Sequence, residues 1–466
     1  MPGPLWTDRE EMRRQAHAAV DFVLDVLDEP RPMVRRATPG EMRERIPGAL
    51  PDGPAAFDDL LEELRRDVLP YRAVYDVPGY MGFIPAATTW PGVLGDFLAV
   101  ALGLEATWWM SSPGPSRLEL VVLEWFAEWI GYPPAAAGIL VGGGSAANLT
   151  ALACARETLA GTGIAGTVVY ASDQTHSSVA RAFRLLGFGP DQIRELPAEA
   201  DQRLDPERLA AAMDADAAAG RRPLIAVANA GTTNTGAVDP LAEIAAACRR
   251  HGAWLHADAA YGGFAALAPR GAAALAGIEA ADSVTLDPHK WLFQPIECGA
   301  VLVRDGALLR RAFEIVPDYL AEVAAGDEEV NFSDRGLQLT RACRGLKVWL
   351  SLRTFGLDAF TAAIDTALDL AIEAERRIEA SPQLELLSPA RLGIVAFRLR
   401  PAGVDDEAQL DRLNAELVAS LEAGGEVFVS STRLGGRYAV RICILHPETG
   451  PEQVAAVLAH FEGAGG

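Results

Sequence analysis

The residue with the clearest capacity for chemistry is Lys290, in the segment Ser-Val-Thr-Leu-Asp-Pro-His-Lys-Trp at positions 283–291. The pattern predicts a short apolar strand at 284–286 that Pro288 ends, so that Lys290 lies in a turn just beyond the strand. Apolar neighbours and nearby cations disfavour an ammonium ion, and a neutral lysine amine is a nucleophile that forms Schiff bases. Taken alone, Lys290 also fits a surface lysine that extends its amine into water. Its companions in the sequence decide between these interpretations.

An aspartate and a glycine-rich loop elsewhere in the sequence favour the Schiff-base interpretation of Lys290. Residues 254–257 (Trp-Leu-His-Ala) predict a buried strand that ends at Asp258, 32 residues before Lys290, which is enough for one crossover and the next strand. Pyridoxal phosphate (PLP) needs such a carboxylate to keep its ring nitrogen protonated, so that the ring accepts electrons. The segment Val-Gly-Gly-Gly-Ser-Ala-Ala-Asn-Leu at 141–149 predicts a loop and a helix start whose free amides hold a phosphate.

An alternation of strands and helices places these residues. Short apolar segments predict strands at 139–141, 167–171, 224–228, 254–257, 284–286 and 300–303. Between them, Asp205 and Asp239 each precede a proline, which predicts two helix N-caps with proline at the first helical position. Such alternation predicts a largely parallel sheet covered on both faces. The residues that follow strands, where ligands bind in such sheets, include Ser145, His176, Thr233, Asp258 and Lys290.

The two ends of the chain predict further elements. Apolar residues recur at helical spacing in 10–28 and in 57–68, which predicts two amphipathic helices that cover another body, either the main domain or a second subunit. Residues 80–110 are rich in glycine, proline and aromatic side chains and indicate irregular backbone. A smaller α/β domain is predicted from helices at 346–355, 357–379, 408–422 and 451–461 and strands at 394–399, 426–430 and 438–444.

Composition restricts the class of protein. The 466 residues include 41 basic and 63 acidic side chains, a net charge of −22, which argues against nucleic acid or an anionic membrane as a partner. A 50% apolar content is enough for a large core. The five cysteines are scattered without metal-ligand spacing, and the sequence has neither a signal peptide nor a membrane span. We therefore expect a cytoplasmic protein with reduced thiols and no metal site.

Three motifs resemble one known family. They are Ser-Asp-Gln-Thr-His-Ser-Ser at 172–178, His-Ala-Asp-Ala-Ala-Tyr at 256–261 and Asp-Pro-His-Lys-Trp-Leu-Phe at 287–293. In this order and spacing they resemble the group II PLP-dependent decarboxylases, the aromatic-L-amino-acid decarboxylase family, and the resemblance extends over nearly the whole chain. It implies an α/β, fold-type I PLP enzyme similar to aspartate aminotransferase, which acts as a homodimer on a small amino-acid substrate.

The resemblance also implies a division of the chain. Residues 1–83 would form an N-terminal helical segment that wraps the partner subunit. Residues 84–357 would form the large PLP-binding domain with a mostly parallel sheet, and residues 358–466 the small C-terminal α/β domain. In such enzymes the small domain closes on the active site.

Cofactor contacts follow from the same resemblance. Lys290 would hold PLP covalently and exchange it for the substrate amine, while Asp258 would pair with the ring nitrogen. His176 matches a histidine that stacks on the ring. Asp287 stands where many members have asparagine, and a carboxylate beside a phosphate is electrostatically unfavourable. The implied cofactor-binding set is Gly143, Gly144, Ser145, His176, Thr233, Asp258, Asp287, His289 and Lys290.

The substrate pocket is implied by two segments. Pro-Gly-Tyr-Met-Gly-Phe-Ile-Pro-Ala at 78–86 matches a family segment that contacts substrate, in part from the neighbouring subunit, and Phe83 and Ala86 fall on contact positions. Glu105 and Thr107 stand where apolar or aromatic residues are usual. The resemblance therefore implies a less aromatic and more polar pocket, which fits a polar or S-substituted amino acid as well as an aromatic one.

The segment 330–341 resembles the mobile catalytic loop of the family. In amine-forming members a tyrosine on this loop is associated with protonating the substrate Cα after CO₂ leaves, and Phe332 stands at that position. A phenyl ring cannot donate a proton, so the electrons left at Cα are open to reaction with O₂. Aldehyde synthases of the family carry the same exchange. Phe332 therefore predicts decarboxylation coupled to oxidative deamination, and amine formation with His176 or water as the proton donor is the alternative.

Two other functions would use these residues differently. An aminotransferase would clamp the substrate α-carboxylate with an arginine, for which Arg433, Arg437 or Arg441 are available. A scaffold without PLP would have no reason to keep a lysine, an aspartate and a glycine loop together. The three decarboxylase-like motifs argue against both.

Overall fold

The computed structural model describes residues 5–84, 87–161, 163–315 and 328–464. Its N-terminal part contains the helices α1 (Arg9–Asp28), α2 (Pro39–Arg45) and α3 (Phe57–Glu63). Asp8 caps α1, because its carboxylate accepts hydrogen bonds from the amides of Glu10 and Glu11 at 3.0 and 2.9 Å. Both predicted amphipathic helices are present, and the second continues beyond α3 as a π-helical turn, Leu64–Val68.

The region at 80–110 is more regular than the sequence indicated. It contains the strand β1 (Tyr80–Met81) and the helix α4 (Trp90–Ala101), and α5 (Pro113–Trp129) follows. Glycines lower helix propensity, so the sequence pattern did not predict α4. Its Gly95 serves close packing, since a Cβ atom there would lie 2.6 Å from Lys347 Cα.

A seven-stranded sheet forms the centre of the fold. Its strands are β2 (Ala137–Val141), β3 (Thr167–Ser172), β4 (Ile193–Leu196), β5 (Arg222–Asn229), β6 (Trp254–Asp258), β7 (Ser283–Leu286) and β8 (Gly299–Val303). They lie in the order β2-β8-β7-β6-β5-β3-β4, and β8 runs antiparallel to both neighbours while the other pairs are parallel. All six predicted strands are confirmed. β4 was not predicted, because this edge strand is short and mostly half-buried.

Helices alternate with these strands. They are α6 (Gly144–Ala160), α7 (Ser177–Leu185), α8 (Pro206–Ala218), α9 (Leu241–His251), α10 (Pro269–Ala274), α11 (Pro288–Trp291) and α12 (Gly306–Phe313). Asp205 caps α8 as predicted, accepting from the Glu207 amide at 2.8 Å. The same prediction for Asp239 is wrong. Its carboxylate instead accepts from the amides of Leu204 and Asn229 at 2.8 and 2.7 Å, and burial raises the pKa of Asp239 to about 6.

A second sheet lies in the C-terminal part of the chain. The elements there are α13 (Gly345–Phe355), α14 (Leu357–Ala380), β9 (Leu384–Arg391), β10 (Ile394–Leu399), α15 (Glu407–Gly424), β11 (Phe428–Leu434), β12 (Arg437–Cys443) and α16 (Pro451–Gly463). The strand order is β1-β11-β12-β10-β9, with β1 parallel to β11. The predicted helices and strands are present, and β9 was missed. The division at residues 83 and 357 stays a prediction.

The fold is thus the predicted α/β arrangement with a mostly parallel central sheet. Hydrophobic side chains buried on both sides of that sheet pack in one continuous cluster with those of the C-terminal elements. Within the described ranges, no helix has the length and apolar character needed to cross a membrane.

A buried ion pair ties the segment that precedes α13 to this core. Arg341 Nη2 lies 2.7 Å from Glu119 Oε1, and both side chains have no exposed surface. Arg341 Nη1 donates to the Ala106 carbonyl at 2.7 Å, while the same Glu119 oxygen accepts from the Leu140 amide at 2.8 Å. One pair therefore joins α5, β2, the segment after α4 and the chain before α13.

We expect Glu119→Leu to lower the free energy of unfolding by about 3–5 kcal/mol, because it leaves the Arg341 guanidinium buried without an anion. The double variant Glu119→Leu with Arg341→Met should recover much of this loss, since neither charge then remains buried. Urea unfolding followed by circular dichroism measures both. Arg117→Met, which breaks an exposed pair with Glu124, is the control and should cost less than about 1 kcal/mol. A Glu119→Leu variant no less stable than this control would contradict the expectation.

Candidate active site

A cavity of about 630 Å³ opens where the carboxyl ends of the central strands meet. Strand ends, the start of α6 and the turn before α7 all contribute to its wall, as the topology of a parallel sheet requires. The structure brings together at this cavity all the residues predicted to bind the cofactor: Gly143, Gly144, Ser145, His176, Thr233, Asp258, Asp287, His289 and Lys290.

Lys290 lies on the short helix α11 rather than in the turn that the sequence predicted. Pro288 ends the preceding strand by opening this helix at its first position. Lys290 Nζ lies 2.9 Å from Asp287 Oδ2, and the Asp287 side chain is only 2% exposed. The second oxygen, Oδ1, is buried and has no hydrogen-bond partner among the described residues. Asp287 therefore has capacity for a further donor in the cavity.

His289 is oriented by the strand that follows it. Its Nδ1 lies 2.6 Å from the Cys298 carbonyl oxygen and therefore donates to it. Nε2 is left facing Asp287 Oδ2 at 3.8 Å. Burial lowers the pKa of His289, with the negative charge of Asp287 opposing that shift.

Asp258, at the end of β6, is 7% exposed and both of its oxygens are held. Asn148 Nδ2 donates to Oδ2 at 2.8 Å, and the Ala260 amide donates to Oδ1 at 3.2 Å. Sequence reasoning did not single out Asn148. A signal was present, since asparagine is a poor helix former and this one follows Gly144 by one helical turn.

His176 is held at the start of α7 by Ser178. The Ser178 amide donates to His176 Nδ1 at 3.3 Å, and Ser178 Oγ lies 2.8 Å from the same nitrogen. Nδ1 is therefore an acceptor, which puts the proton of the neutral ring on Nε2. This nitrogen is the one left for a group in the cavity that His176 lines.

The glycine loop gives a phosphate close access to backbone amides. The first amides of α6 have no intrahelical partners, and no side chain caps this helix. At Gly143, whose φ is +150°, a Cβ atom would lie 3.1 Å from His289 Cε1, and at Gly144 it would lie 2.8 Å from Asp287 Oδ2. Only glycine leaves this space open. The loop, the Asp258 carboxylate and the Lys290 amine fit the phosphate, the ring nitrogen and the aldehyde of PLP.

Three of the four predicted substrate residues, Phe83, Glu105 and Thr107, lie away from the cavity of the single chain. Phe83 is 62% exposed, and its amide donates to Ser430 Oγ at 3.1 Å. Thr107 is fully buried, and its Oγ1 accepts from the Arg341 amide at 3.2 Å and lies 3.3 Å from Glu105 Oε2. None of the three is among the described residues that line the cavity. Ala86 lies outside the described residues. Glu105 and Thr107 therefore do not make the cavity of a single chain more polar.

Phe332 has different surroundings from those expected of a residue that faces the substrate. Its ring is fully buried in the core, and the guanidinium carbons of Arg341 and Arg335 lie 5.0 and 5.6 Å from the ring centre. Leu337 and Gln338, a few residues further along, do line the cavity. In a single chain, cation–π contacts and core packing hold the Phe332 ring in the core, behind the residues that line the cavity.

The three arginines available for an aminotransferase's carboxylate clamp have other partners. Arg433 Nη1 donates to Asp411 Oδ2 at 2.8 Å, and Arg437 Nη1 donates to Glu385 Oε1 at 2.9 Å. Arg441 Nε donates to the Asn234 carbonyl at 3.0 Å. None of the three is among the described residues that line the cavity. The candidate carboxylate clamp of the aminotransferase hypothesis therefore has no support in this arrangement.

Comparison with known proteins agrees with the site. The sequence matches the pyridoxal-dependent decarboxylase conserved domain over residues 39–400. It is 37% identical to an aromatic-L-amino-acid decarboxylase of Bacillus atrophaeus, over 96% of this chain and 94% of the relative. It is 32% identical to a phenylacetaldehyde synthase of Arabidopsis thaliana, over 96% and 94%. The crystal structure of Oryza sativa TDC with PLP and tryptamine superposes with a TM-score of 0.94 at 31% identity, over 100% of this chain and 99% of the other.

The fold and the cavity thus define a fold-type I PLP enzyme. The chain belongs to the pyridoxal-dependent decarboxylase family. It is a PLP-dependent carboxy-lyase that acts on an amino acid, which confirms the resemblance seen in the three sequence motifs.

We expect Asp287→Asn to tighten PLP binding about tenfold, because it removes a negative charge beside the phosphate loop and a charge at about 4 Å is worth about 1–4 kcal/mol. Titration of the cofactor-free protein with PLP, followed by absorbance, measures the Kd. Asp369→Asn makes the same charge change at an exposed pair with Arg270 and should leave the Kd unchanged. Weaker binding in Asp287→Asn would show that the carboxylate assists the cofactor instead.

Proposed function

We propose that this enzyme removes the α-carboxylate of an aromatic L-amino acid and couples this step to O₂-dependent oxidative deamination. The observation that carries the proposal is the residue type at position 332, where phenylalanine offers no proton. A relative whose name is phenylacetaldehyde synthase, 32% identical to this chain, supports aldehyde formation as a chemistry within reach of this fold.

We assign the first step to the cavity residues. Bound PLP would accept into its ring the electron pair that departing CO₂ leaves at Cα. Lys290 would hold the cofactor and give way to the substrate amine. Asp258, fixed by Asn148 and the Ala260 amide, would keep a proton on the ring nitrogen, and the amides at the start of α6 would bind the phosphate.

The second step concerns the electron pair at Cα. If Cα receives a proton, the product is an amine. If two electrons pass to O₂, peroxide forms, and water then splits the resulting carbon–nitrogen double bond. The balanced sum is one amino acid, one O₂ and one H₂O giving one aldehyde, one NH₃, one CO₂ and one H₂O₂. Phe332 supports the second course, because the loop offers no tyrosine hydroxyl at that position.

Amine formation is the second candidate, and a specific observation favours it. The Phe332 ring is fully buried in a single chain, so its lack of a hydroxyl matters only if the loop rearranges. His176, whose proton lies on Nε2 by the hydrogen bonds to Nδ1, is then the residue that would protonate Cα. The two candidates differ in whether O₂ is consumed.

An aromatic substrate is supported by the names of similar proteins. They include an aromatic-L-amino-acid decarboxylase and a tryptophan decarboxylase, at 37% and 33% identity. The polar alternative depended on Glu105 and Thr107. Instead of facing the cavity, the Thr107 hydroxyl hydrogen-bonds the Glu105 carboxylate and accepts from the Arg341 backbone amide. A substrate panel with aromatic amino acids and S-substituted cysteines decides between them, and activity confined to the latter would contradict the aromatic proposal.

We also propose a homodimer. Apolar side chains on one face of α1, Val20, Val23, Leu24 and Leu27, are 39–49% exposed. Leu60, Leu64 and Val68 in and after α3 are 39–43% exposed. Apolar surface of this kind gains free energy when a second subunit covers it. Analytical ultracentrifugation measures the mass in solution, and a monomer at micromolar concentration would exclude the proposal.

A reducing, cytoplasmic location is proposed from the cysteines. All five thiols are free and buried, and burial raises the pKa of Cys154 and Cys298 to about 12. Such thiols are unreactive packing groups. Cell fractionation tests the location.

We expect Lys290→Ala and Asp258→Ala to lower the release of labelled CO₂ from a carboxyl-labelled substrate by several orders of magnitude. Lys290→Ala removes the amine that holds PLP, and Asp258→Ala removes the anion that keeps the ring nitrogen protonated. Borohydride reduction should fix the cofactor to the wild type but not to Lys290→Ala. If the wild type releases no labelled CO₂ from any member of a broad amino-acid panel, the decarboxylation itself is disproved for that panel.

We expect the wild type to consume one O₂ for each CO₂ released and to form aldehyde, whereas Phe332→Tyr should form more amine and consume less O₂. The physical reason is that a phenol can donate a proton and a phenyl ring cannot. An oxygen electrode combined with product chromatography measures the ratio. Phe332→Leu is the control, since it changes the ring without adding a donor. Stoichiometric amine without O₂ uptake in the wild type rules out the oxidase proposal, and a Phe332→Tyr product ratio equal to that of Phe332→Leu removes Phe332 from the explanation.

A further inference from the structure

Asn148, near the start of α6, contacts both halves of the site. Its side chain is 1% exposed. The amide nitrogen donates to Asp258 Oδ2 at 2.8 Å and to Ser178 Oγ at 3.0 Å. An amide nitrogen has two hydrogens, so both are used, one for each of these contacts.

The Asn148 amide faces Asp258 with its nitrogen and His256 with its oxygen. His256 Nε2 lies 3.0 Å from Asn148 Oδ1, and Nδ1 lies 2.8 Å from Ser283 Oγ. Because the Asp258 carboxylate only accepts, the Asn148 nitrogen must face it, and the oxygen is left to accept from His256 Nε2. The proton of neutral His256 is then on Nε2, so Nδ1 accepts from the Ser283 hydroxyl, whose oxygen also accepts from Trp254 Nε1 at 2.8 Å. Burial lowers the pKa of His256 to about 4, so the ring stays neutral at neutral pH.

The second hydrogen bond from Asn148 leads to His176. Ser178 Oγ accepts from Asn148 and lies 2.8 Å from His176 Nδ1, a nitrogen that also accepts from the Ser178 amide. The serine hydroxyl therefore donates to His176 Nδ1. The directions of the hydrogen bonds from Trp254 to His176 thus follow from three groups with a single role: the Trp254 ring N–H, the Asp258 carboxylate and the Ser178 backbone N–H.

We propose that Asn148 is a positioning residue that orients the Asp258 carboxylate and the His176 ring together. The series Trp254, Ser283 and His256 holds the Asn148 amide in the one direction that serves both. The inference rests on the proposed function, in which Asp258 keeps a proton on the PLP ring nitrogen, and on the predicted position of His176 against the ring. Asn148 acts through these two residues.

The arrangement matters because each oxygen of Asp258 is held by a different donor. Without Asn148, Oδ2 would lose the shorter of the two hydrogen bonds, 2.8 Å against 3.2 Å. A buried carboxylate that loses a donor is shifted toward its protonated form and is free to rotate. Either change weakens its hold on a proton at the ring nitrogen.

The test compares Asn148→Ala with Asn414→Ala in the holoenzyme. Asn414 is a matched buried asparagine, which accepts from the Leu399 amide at 2.7 Å and donates to the carbonyls of Leu399 and Leu410 at 2.9 Å. We expect Asn148→Ala to move the pH at which the visible band of bound PLP titrates by about one unit or more, and to lower kcat about 10–100-fold. KM should change less than about threefold. Asn414→Ala should move neither the band nor kcat.

Three further variants keep the test decisive if Asn148→Ala does not fold. Asn148→Asp preserves the side-chain shape but puts a second carboxylate against Asp258, and two such groups share a proton, so a new titration of the PLP band should appear. His256→Gln retains an N–H donor toward Asn148 and should behave as the wild type. His256→Phe removes that donor and should resemble Asn148→Ala.

The outcomes separate this inference from the proposed function. If Asp258→Asn shifts the PLP band but Asn148→Ala and Asn148→Asp titrate as the wild type does, the positioning role is wrong and the proposed function stands. If Asp258→Asn also leaves the band unchanged, Asp258 does not face the ring nitrogen, and the role that the proposed function assigns to Asp258 fails first. A band shift in Asn414→Ala equal to that in Asn148→Ala would assign the effect to general destabilisation.

Discussion

The arrangement of the site depends on the donors that hold the nearly buried carboxylate of Asp258. A charge withdrawn from water must be compensated by donors that are themselves fixed. Here the donors are a backbone amide and Asn148, and the Asn148 oxygen in turn accepts from His256. Because α6 begins at the glycine loop, the helix whose first amides are predicted to bind the phosphate also carries the group that holds the carboxylate. The predicted phosphate site and the support of the carboxylate therefore share one element.

The same constraint governs the wall of the cavity. Arg341 lines the cavity, yet its charge is compensated behind the wall by Glu119, with no exposed surface on either side chain. This pair holds the chain around Phe332 against β2. Asp287 is the contrasting case, since one of its oxygens meets Lys290 and the other has no partner among the described residues. The charge of Arg341 is thus compensated within the core, whereas Asp287 keeps one oxygen without a partner among the described residues at the cavity.

The sequence by itself determined the fold class and which candidate residues meet at the cavity. Strands of β-branched and apolar residues alternate with helices, which predicts a mostly parallel sheet, and Lys290, Asp258, His176 and the glycine loop converge because each comes just after a strand. The edge strands β4 and β9, whose residues are mostly half-buried, gave too weak a pattern, and glycines lowered the helix propensity of α4. The motif resemblance added the family and the cofactor, which comparison with relatives confirmed.

Only the tertiary structure decided which partners the buried side chains have. The sequence predicts Asp239 as a helix cap, but its carboxylate accepts hydrogen bonds from the amides of two other segments. The sequence predicts Phe332 as a residue of the cavity, but in a single chain its ring packs in the core. Asn148 and His256 are 108 residues apart, yet they form one hydrogen-bonded pair. Periodicity reports which face of an element is buried, whereas the partner of a buried polar atom depends on distances between segments far apart in the chain. Burial makes an unpaired polar group costly, so the fold, and not the local sequence, selects those partners.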